Sequence, residues 1–371
     1  MKKKKIRKAF FAFLLSFSVI TSYAQIGNID FLEGGIADGA KLFEAYLAPW
    51  ANAFGASLNG GWYNTAKPHK LGGFDVTFSV STTIVPASAK SFDLSEISFQ
   101  NLSISGTDTE APTIAGENKD GPTLEYILND PTYGDITIAS FKTPPGSNWG
   151  AIPLPMIQAG LGLPLGTEVT VRFIPKIKIP IIDTKVSMWG VGGKHSILQY
   201  FPGEKLMPID LTLQGGYTKL KVSVPIELQP DASISYFNNY DINTDFEDQE
   251  VNMEVTAYSI NLLLSKKIPV VTFYGGVGYS KTQTVIDVAG YYALPTFDAT
   301  HSIQAPYSLL SPGPVYTDAN VKQVPVIDIK NHSGLRLNAG IRFTLGVLTI
   351  HGDYTKANYS VITGGLGISF R

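Results

Sequence analysis

The chain has 371 residues, of which 44% are hydrophobic, 16% charged and none cysteine. Disulfide-stapled domains and thiolate chemistry are therefore excluded. Six of the 29 basic residues and none of the 31 acids lie within residues 1–24, so the remainder has 23 against 31, a net of −8. Such a chain would be repelled by phosphate backbones, and no nucleic-acid partner is expected.

Residues 1–24 read as a signal peptide. Lys2 to Lys5, Arg7 and Lys8 form a basic start, Ala9 to Ile20 an apolar run, and Ser22-Tyr23-Ala24 a small-x-small site with cleavage after Ala24. The run is shorter than the roughly 20 residues of a membrane-spanning helix.

Residues 25–55 are expected to form a helical plug or hatch. Ile36, Ala40, Phe43, Tyr46, Leu47 and Trp50 recur at helical spacing, with Pro49 expected to kink or end the helix. Phe43, Tyr46, Leu47 and Trp50 are the candidate plug contacts. The first alternating strand is expected near 56–65, opening a barrel over 56–371.

Further along, 106–122 and 142–153 are rich in Gly, Pro, Ser and Thr and read as loops. From Glu168 the pattern alternates: Val169, Val171, Phe173, Ile177 and Ile179 on one face, Glu168, Thr170, Arg172, Lys176 and Lys178 on the other. Residues 193–201 suggest one or two helical turns. Leu335 to Leu345 alternates again, with Arg336, Asn338 and Arg342 on the polar face, and His351 and Asp353 follow on a late strand. At the C-terminus Ile362, Gly364, Leu366, Ile368 and Phe370 line one face, and small or polar residues line the other. Leu366, Ile368 and Phe370 are the candidate assembly signal for the outer-membrane barrel assembly machinery.

Strands of 10–13 residues exceed the usual ~5–6 of soluble sheets and suit a tilted bilayer crossing. The fold class expected is all-β: a transmembrane antiparallel up-and-down β-barrel of ~12–16 strands (best guess ~14), allowing roughly 20–25 residues per strand and connection. Counting back from the last strand puts 241–248 and 290–333 outside and the turns at 266–269 and 346–347 in the periplasm. This agrees with the preference of such barrels for long external loops. Outer-membrane lipid and lipopolysaccharide are the expected surroundings.

Candidate lumen-lining residues are Arg172, Lys176, Lys178, Arg336, Asn338, Arg342, His351 and Asp353. A basic interior would favour anionic solutes or head groups, or would pair with lumen acids such as Glu168 and Asp353; the structural pairing is the favoured reading. His351 and Asp353 could serve a hydrolytic barrel, but no nucleophile or oxyanion donor can be assigned beside them, so no catalytic residue is expected. Asp241-x-Asn243-x-Asp245-x-Glu247 is similar to half a calcium loop, yet Phe246 replaces the turn glycine and Asn252 the bidentate glutamate. No metal and no cofactor are expected; 241–248 reads as a solvated acidic loop. The aromatic, proline-rich stretch 290–325 could cap a pore or touch a small apolar ligand, or pack on itself.

Residues 43–64, Gly72-Gly-Phe-Asp-Val-Thr-Phe78, 152–162 and the Gly-Leu-Gly-Ile-Ser-Phe-Arg end resemble a group of Gram-negative outer-membrane β-barrels. More remotely, a hatch ahead of a mid-sized barrel is similar to long-chain fatty-acid transporter barrels. That resemblance implies passage of a hydrophobic compound past a hatch and transfers no binding residue. Three readings of function follow: a passive channel for a small apolar or amphiphilic compound, a structural or surface-interaction barrel, and a barrel enzyme. The first leads and the last is not expected.

Overall fold

The computed structural model describes residues 36–130, 134–179, 184–225, 249–289, 292–293, 321–322 and 326–370. The expected signal peptide, the acidic stretch 241–248 and most of 290–325 lie outside these.

Ten antiparallel strands form one closed barrel. They are β1 (Phe74–Ile84), β2 (Ala151–Leu163), β3 (Thr167–Ile179), β4 (Thr184–Ser196) and β5 (Asp210–Pro225). β6 (Glu250–Lys267), β7 (Val271–Ala289), β8 (Ile327–Leu345), β9 (Leu348–Lys356) and β10 (Ser360–Phe370) complete the ring. Closure comes from β1, which pairs with β10 on one side (Phe74↔Phe370) and with β2 on the other (Phe74↔Leu161).

The count of ten corrects the expected 14. Two features consume the chain. Residues 85–150 leave the ring between β1 and β2, and their short strands pair among themselves: Ser91–Asp93 with Glu110–Pro112, and Leu102–Ser105 with Thr123–Asp130 and Gly134–Lys142. β6, β7 and β8 are also long, at 18, 19 and 19 residues. Two of the expected loops are thus partly strand.

Alternation along the strands sorts side chains to two faces. Outward positions carry a belt of exposed apolar residues, among them Val171, Phe173, Trp189, Leu264, Phe273, Leu337, Leu366 and Ile368. No soluble monomer would leave so continuous an apolar surface in water. Among the described residues no helix is long and apolar enough to cross a membrane; the apolar surface is on strands.

The two ends differ. The turns 164–166, 268–270 and 346–347, with the 197–209 connection, lie at one end, here the short-turn end. β1, β5 and β7 end, and β2, β6 and β8 begin, at the other, the long-loop end, where the sequence between them is longest. The helical turn expected within 193–201 is confined to Leu198–Tyr200, because 193–196 still belong to β4.

Helix α1 (Ile36–Asn59) fills the lumen and corrects the expected first strand. It runs through Pro49 and continues past Phe54, so 56–65 is not the first strand. Leu58 stands four residues beyond Phe54 and keeps the apolar stripe, and Gly60-Gly61, the second at φ +65°, ends the helix. Proline has no N–H to give within a helix. Beside the Ala45 carbonyl that this N–H would have served, the Tyr46 carbonyl accepts the Ile114 N–H of the 85–150 insert at 3.0 Å.

Around α1 the inward wall has two characters. Towards the long-loop end it is apolar. Leu42, Phe43, Tyr46 and Leu47 pack with Val251, Ile286, Val288 and Ile327, and with Leu94, Leu102, Ile114 and Leu124 of the insert. Phe54 and Leu58 meet Ile152, Met156, Met188 and Leu220. Towards the short-turn end the wall is polar. β1 presents Thr77, Ser79, Ser81 and Thr83 inward, all buried, and these small side chains leave room for the chain inside: Ser57 and Thr83 share a 2.7 Å hydrogen bond.

Candidate functional site

The site is the junction between the end of α1, the descending segment 60–73 and the barrel wall. Helix ends leave carbonyls without intrahelical partners, and here wall arginines supply them. Arg172 of β3 donates to Leu58 O (2.8 Å), Gly60 O (2.7 Å) and Gln158 Oε1 (3.1 Å). Arg336 of β8 donates to Asn59 O at 2.7 Å and to Thr355 Oγ1 at 3.4 Å. Arg342, six residues further along β8 on the same face, donates to Asn64 Oδ1 at 2.6 Å. Cations at a helix C-terminus also oppose the negative end of its dipole.

The Trp62 indole seals the junction. It is 2% exposed, and the Arg172 guanidinium lies 3.7 Å from its ring centroid. The ring occupies a niche made by Gly192 of β4 and Gly216 of β5, which pair directly across the sheet. A Cβ at either glycine would sit 2.6 or 2.5 Å from the indole.

Further towards the short-turn end, segment 66–73 is fixed by a buried ionic cluster. His69 Nε2 lies 2.9 Å from Asp75 Oδ1, and the His69 backbone N–H donates to Glu168 Oε2 at 2.9 Å. Lys194 pairs with Glu168 Oε1 at 2.9 Å, with both side chains at least nine-tenths buried. His69, Asp75 and Glu168 converge closely enough to suggest metal ligands. The Lys194 ammonium occupies Glu168 Oε1 and the His69 ring occupies Asp75 Oδ1, and the cluster reads as a structural clasp.

At the opposite end Asp38, 1% exposed, ties the first turn of α1 to the insert. Its carboxylate accepts the N–H groups of Gln100 (2.8 Å), Asn101 (2.8 Å) and Leu102 (3.3 Å), and pairs with Lys41 at 3.2 Å. Tyr46 donates its hydroxyl to Pro145 O at 2.9 Å, and burial pushes its ionisation up to about 12.

The residues singled out from sequence divide as follows. Phe43, Tyr46 and Leu47 are buried in the plug contact and Trp50 packs beside them. Arg172, Arg336, Asn338, Arg342, His351 and Asp353 face inward and are buried. Lys176 and Lys178 do not: both are exposed. The pairing of β3 with β4 shifts register between Ile174 and Ile177, and the bulge reverses the alternation. Ile174 and Ile177 both turn to the core and the two lysines turn out. Pro175 within the strand was the signal for it.

The expected pairing of basic with acidic lumen residues also needs correction. Glu168 pairs with Lys194, and Asp353 accepts from Asn338 Nδ2 (2.8 Å) and the Tyr274 hydroxyl (3.0 Å). The arginines instead serve the plug. His351 lies against Gly365, and its ring nitrogens have no hydrogen-bond partner among the described residues. Asp38, Trp62, His69 and Lys194 were not foreseen, since each joins segments distant in the chain: Asp38 reaches residues 100–102, Trp62 reaches β3, β4 and β5, and His69 and Lys194 meet at Glu168. Leu366, Ile368 and Phe370 face outward on β10.

A pocket of about 350 Å³ opens at the short-turn end, between the descending segment and the rims of β7, β8 and β10. Lys67, Lys267, Arg342 and Asp210 line it, with Thr65, Thr272, Thr344 and Ser369.

Solved structures of outer-membrane proteins align with this chain at low similarity. The translocator domain of the autotransporter NalP from Neisseria meningitidis aligns at 10% identity and TM-score 0.29, covering 82% of this chain and 90% of that one. Ail, the attachment invasion locus protein of Yersinia pestis, aligns at 7% and 0.24, covering 81% and 98%. A Pseudomonas aeruginosa FadL homologue aligns at 9% and 0.19, covering 80% and 88%. At these scores no property of those proteins passes to this chain. Comparison with curated proteins gave no match. The model described as "Family of unknown function (DUF6588)" matches residues 1–370, and the chain belongs to that family.

Proposed function

We propose that the protein is an outer-membrane barrel in its closed state, which passes a small hydrophobic or amphiphilic compound once the plug yields. The apolar belt faces lipid, the long-loop end faces outward and the short-turn end faces the periplasm, following the loop preference of such barrels. The observation that carries the reading is the apolar inner wall at the outer end. Water-filled barrels have polar interiors, whereas Val251, Ile286, Val288 and Ile327 with the plug helix offer an oily entrance. The polar junction below would be the gate, held by Arg172 and Arg336.

The test is flux in proteoliposomes of a hydrophobic fluorophore and of a hydrophilic dye of equal size. It compares the intact barrel with Arg172→Met/Arg336→Met and with a chain lacking residues 25–55. The reading expects faster entry of the hydrophobic probe in both altered forms. A barrel impermeable to both probes in every form would eliminate it.

A second reading rests on a separate observation. Residues 85–150 form a folded platform tied to the plug through Asp38 and Ile114. A surface-interaction barrel would use that platform, and deleting residues 100–140 would then abolish surface attachment without changing flux.

A further inference from the structure

The pocket at the periplasmic end has a composition that the plug does not account for. Three of its lining side chains are cationic (Lys67, Lys267 and Arg342) and one is anionic (Asp210). Lys67 lies 3.8 Å from Asp210, and Arg342 reaches Asn64 from the same wall. Ser369 borders the pocket with a buried hydroxyl that has no hydrogen-bond partner among the described residues. Three cationic side chains beside one carboxylate, with hydroxyl donors around them, make a lining whose chemistry suits an oxyanion. The volume lies near the lower bound of small-ligand sites, roughly 300 Å³, enough for a head group and too small for a whole lipid.

The outer edge of the pocket is different. Val347 and Phe370 close it, and both are exposed on the apolar belt, where Phe370 stacks on Phe74 at 4.9 Å between centroids. A ligand seated among the cations would find an apolar path out past these two residues and onto the lipid-facing wall.

We propose that this pocket binds the phosphate head of an anionic amphiphile, with its chains laid over Val347 and Phe370. The same chemistry would accept free phosphate. The proposal uses the membrane placement above but not the transport reading, since head-group capture needs no flux.

The experiment uses the full barrel and two probes. Inorganic phosphate is titrated calorimetrically against detergent-solubilised protein. Phosphatidylglycerol retained per barrel is counted by native mass spectrometry after extraction from vesicles of phosphatidylglycerol and phosphatidylcholine in equal parts. Lys267→Glu reverses one exposed pocket charge, and Val347→Glu blocks the apolar exit. An unheated electrophoretic mobility equal to wild type shows that each variant is folded.

The expected result is retained phosphatidylglycerol in the wild type, reduced about tenfold by Lys267→Glu, the equivalent of ~1.4 kcal/mol, and also reduced by Val347→Glu. Phosphate binding weakened by Lys267→Glu but indifferent to Val347→Glu would assign the head site alone to a free anion source. No binding of either probe, or binding equal in wild type and folded Lys267→Glu, would overturn the proposal. Flux measured on the same Lys267→Glu preparation separates this failure from failure of the transport reading.

Discussion

Arg172 lays its guanidinium 3.7 Å above the Trp62 ring while its two terminal nitrogens hold the carbonyls of Leu58 and Gly60. One side chain from the wall thus caps a helix and pins the aromatic that follows it. A planar, forked cation can do both; an ammonium cannot.

Arg172→Lys should therefore behave almost as badly as Arg172→Met. Each leaves buried carbonyls without a donor, at roughly 1–3 kcal/mol per group. The temperature at which the unheated electrophoretic band converts to the unfolded position should fall in both. Wild-type behaviour of the lysine variant would show that charge alone suffices.

Gly192→Ala and Gly216→Ala should expel Trp62 from its niche, because the new methyl would lie within 2.6 Å of the ring. Overpacking of this kind costs typically ~1–3 kcal/mol. Tryptophan emission should shift to the red and become more quenchable by acrylamide. Gly364→Ala, where nothing lies within 4 Å, should leave the spectrum unchanged.

Glu168→Gln removes the carboxylate that Lys194 and the His69 N–H share. Breaking a buried pair while leaving one charge behind costs about 3–5 kcal/mol. Replacing both residues, as Glu168→Gln/Lys194→Met, should recover much of the loss. A double-mutant cycle read by denaturant-induced loss of the folded band measures the coupling, and additive losses would remove Lys194 from the clasp.

Asp38→Ala should detach the insert from the plug, since four donors lose one acceptor. Limited proteolysis would then cut within residues 85–150 much faster than in the wild type, while the barrel band survives. Equal cutting rates would mean that the apolar contacts of Leu94, Leu102 and Leu124 hold the insert unaided.

Tyr46 gives a pH dependence with a definite sign. Its ionisation is raised from 10.0 to about 12 by burial. A raised folded-state value contributes stability that is complete below the unfolded value and is lost as pH climbs through the folded one. The plug contact should weaken between pH 10 and 12, and Tyr46→Phe should flatten that decline. Thermal band conversion measured across this interval in both forms checks it.

The outward face was readable because lipid demands apolar residues at every second position. Leu335 to Leu345 and Ser360 to Phe370 declare their alternation without help from neighbours. The inward face was readable as polar, and Arg172, Arg336 and Arg342 stand there. Their partners were not readable, because Leu58 O, Asn59 O and Gly60 O are backbone atoms of a segment more than a hundred residues away. The strand number failed on residues 85–150: short strands that pair among themselves carry the same local pattern as strands of the ring. Lys176 and Lys178 were misassigned for a local reason, since one bulge inverts everything after it.

The relation of α1 to the β1–β10 seam also constrains how the molecule is made. The helix is synthesised before any strand, yet it ends inside a ring whose final pairing joins β1 to β10, the strand made last. Either the sheet curls around a helix already docked on it, or the helix slips through a finished hoop. The second route must draw Trp62 past Arg172 and strip their contacts, whereas the first adds them one strand at a time. Assembly from an open, curling sheet with the helix lying in its trough avoids that barrier, and the seam then acts as a latch that traps the plug topologically as well as energetically.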